Sequence, residues 1–427
     1  MPLNIFISLD TILKMRLKLF FSLFIFTNVL FAQKLQNIAL GNWKAELTLN
    51  DRLVLPFNLK FSKDKKIKVS VINAEEEIKL TKILYKADSL YVSFPEMDGK
   101  LVFKIDELGK DLSGYWLDNR KNKKIKIPLT AYFSQEPRFL FPLTSSNSSA
   151  SSINGKWEVK FSPNKEDEST AIGIFTDNGT SLSGTFQTET GDYRFLQGNS
   201  SGSEFALSSF DGAHAFVFTG KILGDSIKGY YYSGSKYKTT WTAIRNDNAK
   251  LRNADSLTYL ISKNQPFVFN HAKQLNGKPF LFSSANYQNK VVIIQIMGTW
   301  CPNCLDETKF LKELYKDLHP YGLEIISVCY EADVEKKKQL KKLKDFKKRS
   351  KIPYTVLYGG LANKELASSD FGMLNQVMSF PTSIFIGKDG NVWRIHTGFN
   401  GPATGKAYID FKNKIRYEIE IKLDLLR

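Results

Sequence analysis

The sequence predicts a multidomain protein in which tandem antiparallel β repeats, each a small barrel or sandwich, precede a C-terminal α/β domain. Three observations lead there. Up to about residue 247 the chain runs in short alternating segments, such as Trp43-Lys44-Ala45-Glu46-Leu47-Thr48-Leu49 and Lys66-Ile67-Lys68-Val69-Ser70-Val71, punctuated by Asn, Asp, Gly and Lys. The later part of that region repeats the earlier part. From Pro266 the pattern changes to continuous apolar runs alternating with helical periodicity. At 427 residues the chain exceeds one ordinary core, and its 42% hydrophobic and 13% aromatic content can fill several.

Taken in order, residues 1–32 read as a secretory signal. Met15-Arg16-Leu17-Lys18 supplies the charged start, Leu19 to Phe31 the apolar run and Ala32-Gln33 the break, so the first fourteen residues read as an upstream extension with Met15 as the initiator. Leu30 stands where a small residue favours cleavage. An uncleaved signal would anchor the protein to the membrane, and either outcome places the remainder outside the cytoplasm, in the periplasm or cell envelope. No cysteine lies near the break, which argues against a lipid-modified start, and no later run suggests another span.

The first β repeat is expected over residues 33–142, a Ser/Asn-rich linker over 143–154 and the second repeat over 155–247. Gly41-Asn42-Trp43 matches Gly155-Lys156-Trp157, Leu112-Ser113-Gly114-Tyr115 matches Ile227-Lys228-Gly229-Tyr230, and Thr130-Ala131 matches Thr242-Ala243, in order and at nearly constant spacing. Each unit should be a meander of about six to eight strands, either separate or merged into one larger sheet. Tyr230, Tyr231 and Tyr232 could line a sugar, peptide or lipid site, although alternate residues of such a strand are more simply half core and half rim. Residues 248–264 read as a helical connector, and 265–427 as the α/β domain.

The net charge of +17 raises a nucleic-acid function, but the lysines are scattered over β-rich segments and concentrated between Lys336 and Lys351. There Val334, Leu340, Leu343 and Phe346 recur at helical spacing, so the lysines form the solvated side of an amphipathic helix and no nucleic-acid partner is expected.

Only three cysteines occur, Cys301, Cys304 and Cys329. Val291-Val292-Ile293-Ile294-Gln295-Ile296-Met297 reads as a strand buried on both faces. Beyond it Leu305, Phe310, Leu311 and Leu314 recur at helical spacing, which puts Cys301 at a helix N-terminus with Cys304 one turn inside. Unpaired backbone N–H groups and the helix dipole favour a thiolate there, so Cys301 is the expected nucleophile and Cys304 the resolving thiol of a redox-active disulfide. A structural zinc site needs four ligands, and Cys329 with four histidines offers no second pair. A copper site would want more soft ligands. No metal and no cofactor beyond the cysteine pair is expected. Cys329, in Glu324-Ile325-Ile326-Ser327-Val328-Cys329-Tyr330, reads as a small buried hydrophobe.

From Pro266 to about Leu426 the chain resembles the TlpA/ResA-like branch of the thioredoxin fold. The likeness rests on Asn276-Gly277-Lys278, Lys290-Val291-Val292, Gly298-Thr299-Trp300-Cys301-Pro302-Asn303-Cys304, Glu307, Phe380-Pro381-Thr382 and Lys388-Asp389-Gly390. It implies that Phe380-Pro381 is a cis-proline loop that, with Trp300 and Thr382, meets the substrate. It also implies that Glu307 tunes the thiols and moves protons, although a carboxylate in a helix's first turns can simply face solvent. Where thioredoxin itself holds a buried acid this chain has Gln295, which cannot accept a proton, so Glu307 or water becomes the acceptor. His396 reads as a strand-end structural residue.

The resemblance further implies a disulfide reductase of envelope proteins, re-reduced by a membrane thiol-transport electron donor. Two alternatives stand beside it. One is a binding or scaffold protein whose β repeats hold a ligand or partner while the thioredoxin domain is redox-regulated. The other is a thiol peroxidase.

Overall fold

The computed structural model describes residues 37–86, 88–95, 97–118, 125–141, 152–262 and 265–426. The expected signal over residues 1–32 and most of the 143–154 linker lie outside the described residues.

Two antiparallel sheets come first, each of nine strands among the described residues rather than the six to eight expected. In the first, strand Gly41–Asn50 pairs with both Leu53–Lys63 and Ile125–Phe133, so the two ends of the meander meet and the sheet rolls up. In the second, Gly155–Phe161 pairs with both Ser169–Asp177 and Tyr237–Arg245. Pairing of Ser169–Asp177 with Leu182–Thr188 closes that sheet into a barrel, with the two-residue strand Gly191–Asp192 outside the ring.

The repeat in sequence is a repeat in packing. Trp43 and Trp157 are both wholly buried, and each donates its indole N–H four residues back, to Ala39 O at 3.0 Å and Ile153 O at 2.8 Å. Gly114 and Gly229 are equivalent as well. A Cβ at either would lie 2.0 Å from a neighbouring strand's carbonyl oxygen, Val102 O or Thr219 O, so close strand approach excludes a side chain at both places.

The sheets stay separate but share a core. Phe210 of the second reaches among Phe57, Phe94 and Trp116 of the first, with ring centroids 4.8, 5.5 and 4.9 Å away. Buried Arg138 donates to Asn58 Oδ1 and Ile72 O on one side and to Ser208 O and Gln197 Oε1 on the other. Within the tyrosine-rich strand, Tyr231 points into the barrel at 6% exposure, whereas Tyr230 is 46% exposed under the Lys238 ammonium.

The connector is not the helix expected over residues 248–264: among its described residues a single 3-10 turn, Ala254–Ser256, is present. Its order comes from docking. Asp255 accepts from the Arg394 guanidinium and lies 2.7 Å from His396 Nδ1, which gives His396 a structural partner.

The C-terminal domain has a six-stranded mixed sheet in the order Lys273–Gln274, Thr355–Leu361, Leu323–Glu331, Val291–Met297, Thr382–Ile386, Val392–Thr397. Val291–Met297 is central, parallel to Leu323–Glu331 and antiparallel to Thr382–Ile386. Helices Pro302–Leu318, Lys336–Arg349 and Lys406–Lys422 share one apolar cluster with Val291, Ile293 and Met297, while Val292, Ile294 and Ile296 face the other side with Phe267, Phe269 and Phe371. On the lysine-rich helix Leu343 and Phe346 are buried as expected. Val334 is not: it precedes the helix and is 68% exposed, and Gln339 occupies the buried face instead. Among the described residues no helix is long and apolar enough to cross a membrane.

Candidate active site

Strand Val291–Met297 ends at the Gly298 turn, and Pro302, with φ already suited to a helix, starts the helix Pro302–Leu318. Cys301 is that helix's N-cap, in extended conformation, and its sulfur accepts from Cys304 N at 3.3 Å. Cys301 Sγ also lies 3.4 Å from Phe380 O, on a loop whose Phe380-Pro381 peptide is cis. Trp300 is held by its indole N–H on Tyr330 O at 2.9 Å and meets the Phe380 ring edge-on at 5.9 Å. Cys301 and Cys304 are both thiols here, with Cys301 7% exposed and Cys304 enclosed.

Glu307 is not a surface carboxylate. It is 3% exposed, accepting from Gln295 Nε2 at 2.9 Å and from Ser383 Oγ at 2.9 Å. Gln295 falls on the helix-facing side of the strand because of the two-residue period, and it also donates to Cys304 O at 3.3 Å while accepting from Ser327 Oγ at 2.7 Å. Burial pushes the Glu307 carboxyl up to about 7, against those two hydrogen bonds. Burial, and then the neighbouring Cys301 sulfur, push the Cys304 thiol well above the ordinary range. Cys329 is fully buried in strand Leu323–Glu331, and burial raises its thiol too.

The structure brings Trp300, Cys301, Cys304, Glu307 and Phe380 together. Trp300 and Phe380 line the cleft over Cys301. Thr382 does not: it is wholly buried beneath the loop, with its hydroxyl on Ser379 O at 2.8 Å. Pro381 is buried as well, and its carbonyl accepts from Gly398 N at 2.8 Å.

Two features lay outside sequence reasoning. Glu331, 2% exposed at the end of its strand, accepts from Thr299 N and Oγ1 at 3.2 and 2.6 Å, with its carboxyl pushed by burial to about 7. An acid closing an apolar strand was the available signal. The second feature is a roof. The turn of the second sheet around Thr188–Asp192 sits on the cysteine motif, with Asn303 Nδ2 3.5 Å from Asp192 O and Gly401 N donating to the Asp192 carboxylate. Gly191, at φ 148°, leaves no room for a side chain, since a Cβ would lie 1.7 Å from Asn303 Nδ2.

Arg194 locks that contact. Its guanidinium pairs with Asp306 of the active-site helix at 2.9 Å and with Glu76 of the first sheet, and it lies 3.8 Å from Asp211. Nothing in the sequence joins Arg194 to Glu76 and Asp306, because each lies more than a hundred positions away from it. Between roof and cysteines is a cleft of about 790 Å³.

Similarity to known proteins is confined to the C-terminal part of the chain in the matches that follow. Residues 244–409 match the Redoxin family model. The thiol-disulfide oxidoreductase ResA of Bacillus thuringiensis subsp. konkukian is 31% identical over 110 residues, 25% of this chain and 54% of that protein. The thioredoxin-like protein YneN of Bacillus subtilis is 25% identical over 126 residues, 30% of this chain and 66% of YneN. The chain thus spans about half the length of the ResA relatives it matches. Among solved structures, a thioredoxin-family thiol:disulfide interchange protein from Chlorobium tepidum is 25% identical, with 39% of this chain and 99% of that one covered at a TM-score of 0.27. A thioredoxin-like protein from Porphyromonas gingivalis is 23% identical, with 36% and 90% covered at 0.26. The C-terminal part of the chain, residues 244–409, thus carries the Redoxin match and is similar, over 110 residues, to a thiol-disulfide oxidoreductase.

Proposed function

We propose that this protein is an exported reductase of disulfides in cell-envelope proteins, acting through Cys301 and Cys304. The observation that carries this reading is the head of the active-site helix: a capped Cys301 sulfur beside the Phe380 carbonyl, with an enclosed second thiol and a buried carboxyl below. Export rests on the signal pattern of residues 1–32. The reducing direction rests on the ResA resemblance.

In the forward direction the Cys301 thiolate attacks one sulfur of a substrate disulfide. The substrate S–S bond breaks, a Cys301–substrate bond forms, and the departing sulfur takes a proton. Cys304 then gives its proton to the Glu307 carboxylate or to water and attacks Cys301 Sγ, releasing the second substrate thiol and leaving a Cys301–Cys304 disulfide. Two electrons pass from protein to substrate. An external dithiol must restore the pair, and a membrane thiol-transport protein is the donor this reading requires.

Trapping tests the reading. A Cys304→Ser variant mixed with a disulfide peptide should accumulate one mixed disulfide at Cys301, found by non-reducing mass spectrometry, and Cys301→Ser should accumulate none. Adducts at Cys329, or none in the Cys304→Ser protein, would refute it.

A further inference from the structure

The second sheet does more than cover the cysteines. Where it faces Cys301 its barrel opens in a cluster of four rings, Phe161, Tyr193, Phe216 and Tyr231, whose neighbouring centroids lie 5.3 to 5.8 Å apart. The facing wall carries Trp300 and Phe380, so aromatic surface lines both sides of the cleft. At its edge Glu189 pairs with Arg252 at 2.6 Å, and Glu168 and Lys364 add one charge of each sign. Charge therefore does not select the occupant.

We infer that the ring cluster at the barrel mouth is a substrate subsite: it holds an apolar or aromatic side chain next to the disulfide cysteine of an extended, unfolded polypeptide segment. Volume and access both point to that class. A cleft of about 790 Å³ is within the roughly 300–1,000 Å³ of pockets that enclose a small ligand, room for a short stretch of chain and not for a folded face. The roof contacts at Asn303 and Gly401 keep a folded surface away from the sulfur. The reaction is the exchange given above, on which this inference rests, with two electrons passing to the substrate and an external dithiol restoring the cysteines.

The test separates binding from turnover. Two unstructured peptides differ only in Phe or Ser beside a cysteine that carries nitrothiobenzoate as a mixed disulfide, and dithiothreitol recycles the protein. The Phe peptide should react with a kcat/KM about tenfold higher, the order expected for burying one aromatic side chain. Phe216→Ala should remove that preference by bringing the Phe peptide down to the rate of the Ser peptide, and Phe216→Leu, which keeps apolar bulk at the mouth, should retain most of it. Non-reacting versions with Ser in place of the cysteine should show the same preference in equilibrium binding. That readout reports the subsite even if no turnover occurs, so an inert cysteine pair and an absent subsite give different results. Equal values for the two peptides, a preference that survives Phe216→Ala, oxidised glutathione outpacing both peptides, or a folded disulfide protein reduced as fast as its unfolded form would each overturn the inference.

Discussion

Replacing Glu307 by Gln isolates one buried charge. In the folded protein burial raises this carboxyl from 4.5 to about 7. The folded state therefore binds more protons than the unfolded state between those values, and stability falls as pH rises through that window. The loss is absent below about pH 4.5 and complete above about pH 7. A rise of that size corresponds to about 3 kcal/mol. Glu331 and Asp192, raised to about 7 and about 6, act in the same direction, so the difference between wild type and variant is the informative quantity.

Denaturant unfolding of the reduced proteins at pH 5 and pH 8 should show Glu307→Gln gaining about 2.5 kcal/mol relative to wild type between the two conditions, since part of the loss has already occurred at pH 5. The same substitution removes the carboxyl proposed above to take the Cys304 proton. Resolution of a preformed Cys301 mixed disulfide should then slow by on the order of a hundredfold near pH 8. Parallel stability curves, or an unchanged resolution rate, would refute the roles assigned to this carboxyl.

Three further outcomes follow from the packing. Arg194→Ala leaves Asp306 and Glu76 without their buried cation, a loss of about 3–5 kcal/mol, and should loosen the roof so that iodoacetamide alkylates Cys301 several-fold faster; an unchanged rate would mean the roof is held by other contacts. Trp43→Phe and Trp157→Phe each remove an indole donor from a backbone carbonyl in one of the two equivalent cores, and should destabilise the protein by similar amounts, about 1–3 kcal/mol, in thermal unfolding. Cys329, fully buried in its strand, should resist alkylation in the native state, and Cys329→Ala should retain the redox activity of the other two thiols.

What the sequence disclosed depended on the range of the interactions. The repeat could be read because each unit carries its own Gly and Trp at fixed places, and those residues act on neighbouring strands. Cys301 could be placed because a strand, a proline and a helical apolar period surround it within a few residues. Glu307 could be proposed but its burial could not, since Gln295 and Ser383 come from two other strands. The roof was invisible, because Asp192, Arg194 and Gly191 meet the cysteine motif only through tertiary folding. The connector misled for a related reason: its polar, helix-compatible residues take their shape from Asp255 docking on Arg394 and His396.

The most direct test of the central claim is the equilibrium of the Cys301/Cys304 pair in dithiothreitol redox buffers, acid-quenched and read by mass spectrometry. The expected result is a single intramolecular disulfide, with Cys329 still reduced and a potential near that of thioredoxin, about −270 mV. A pair that never closes, or one poised near the strongly oxidising value of about −120 mV, would contradict it.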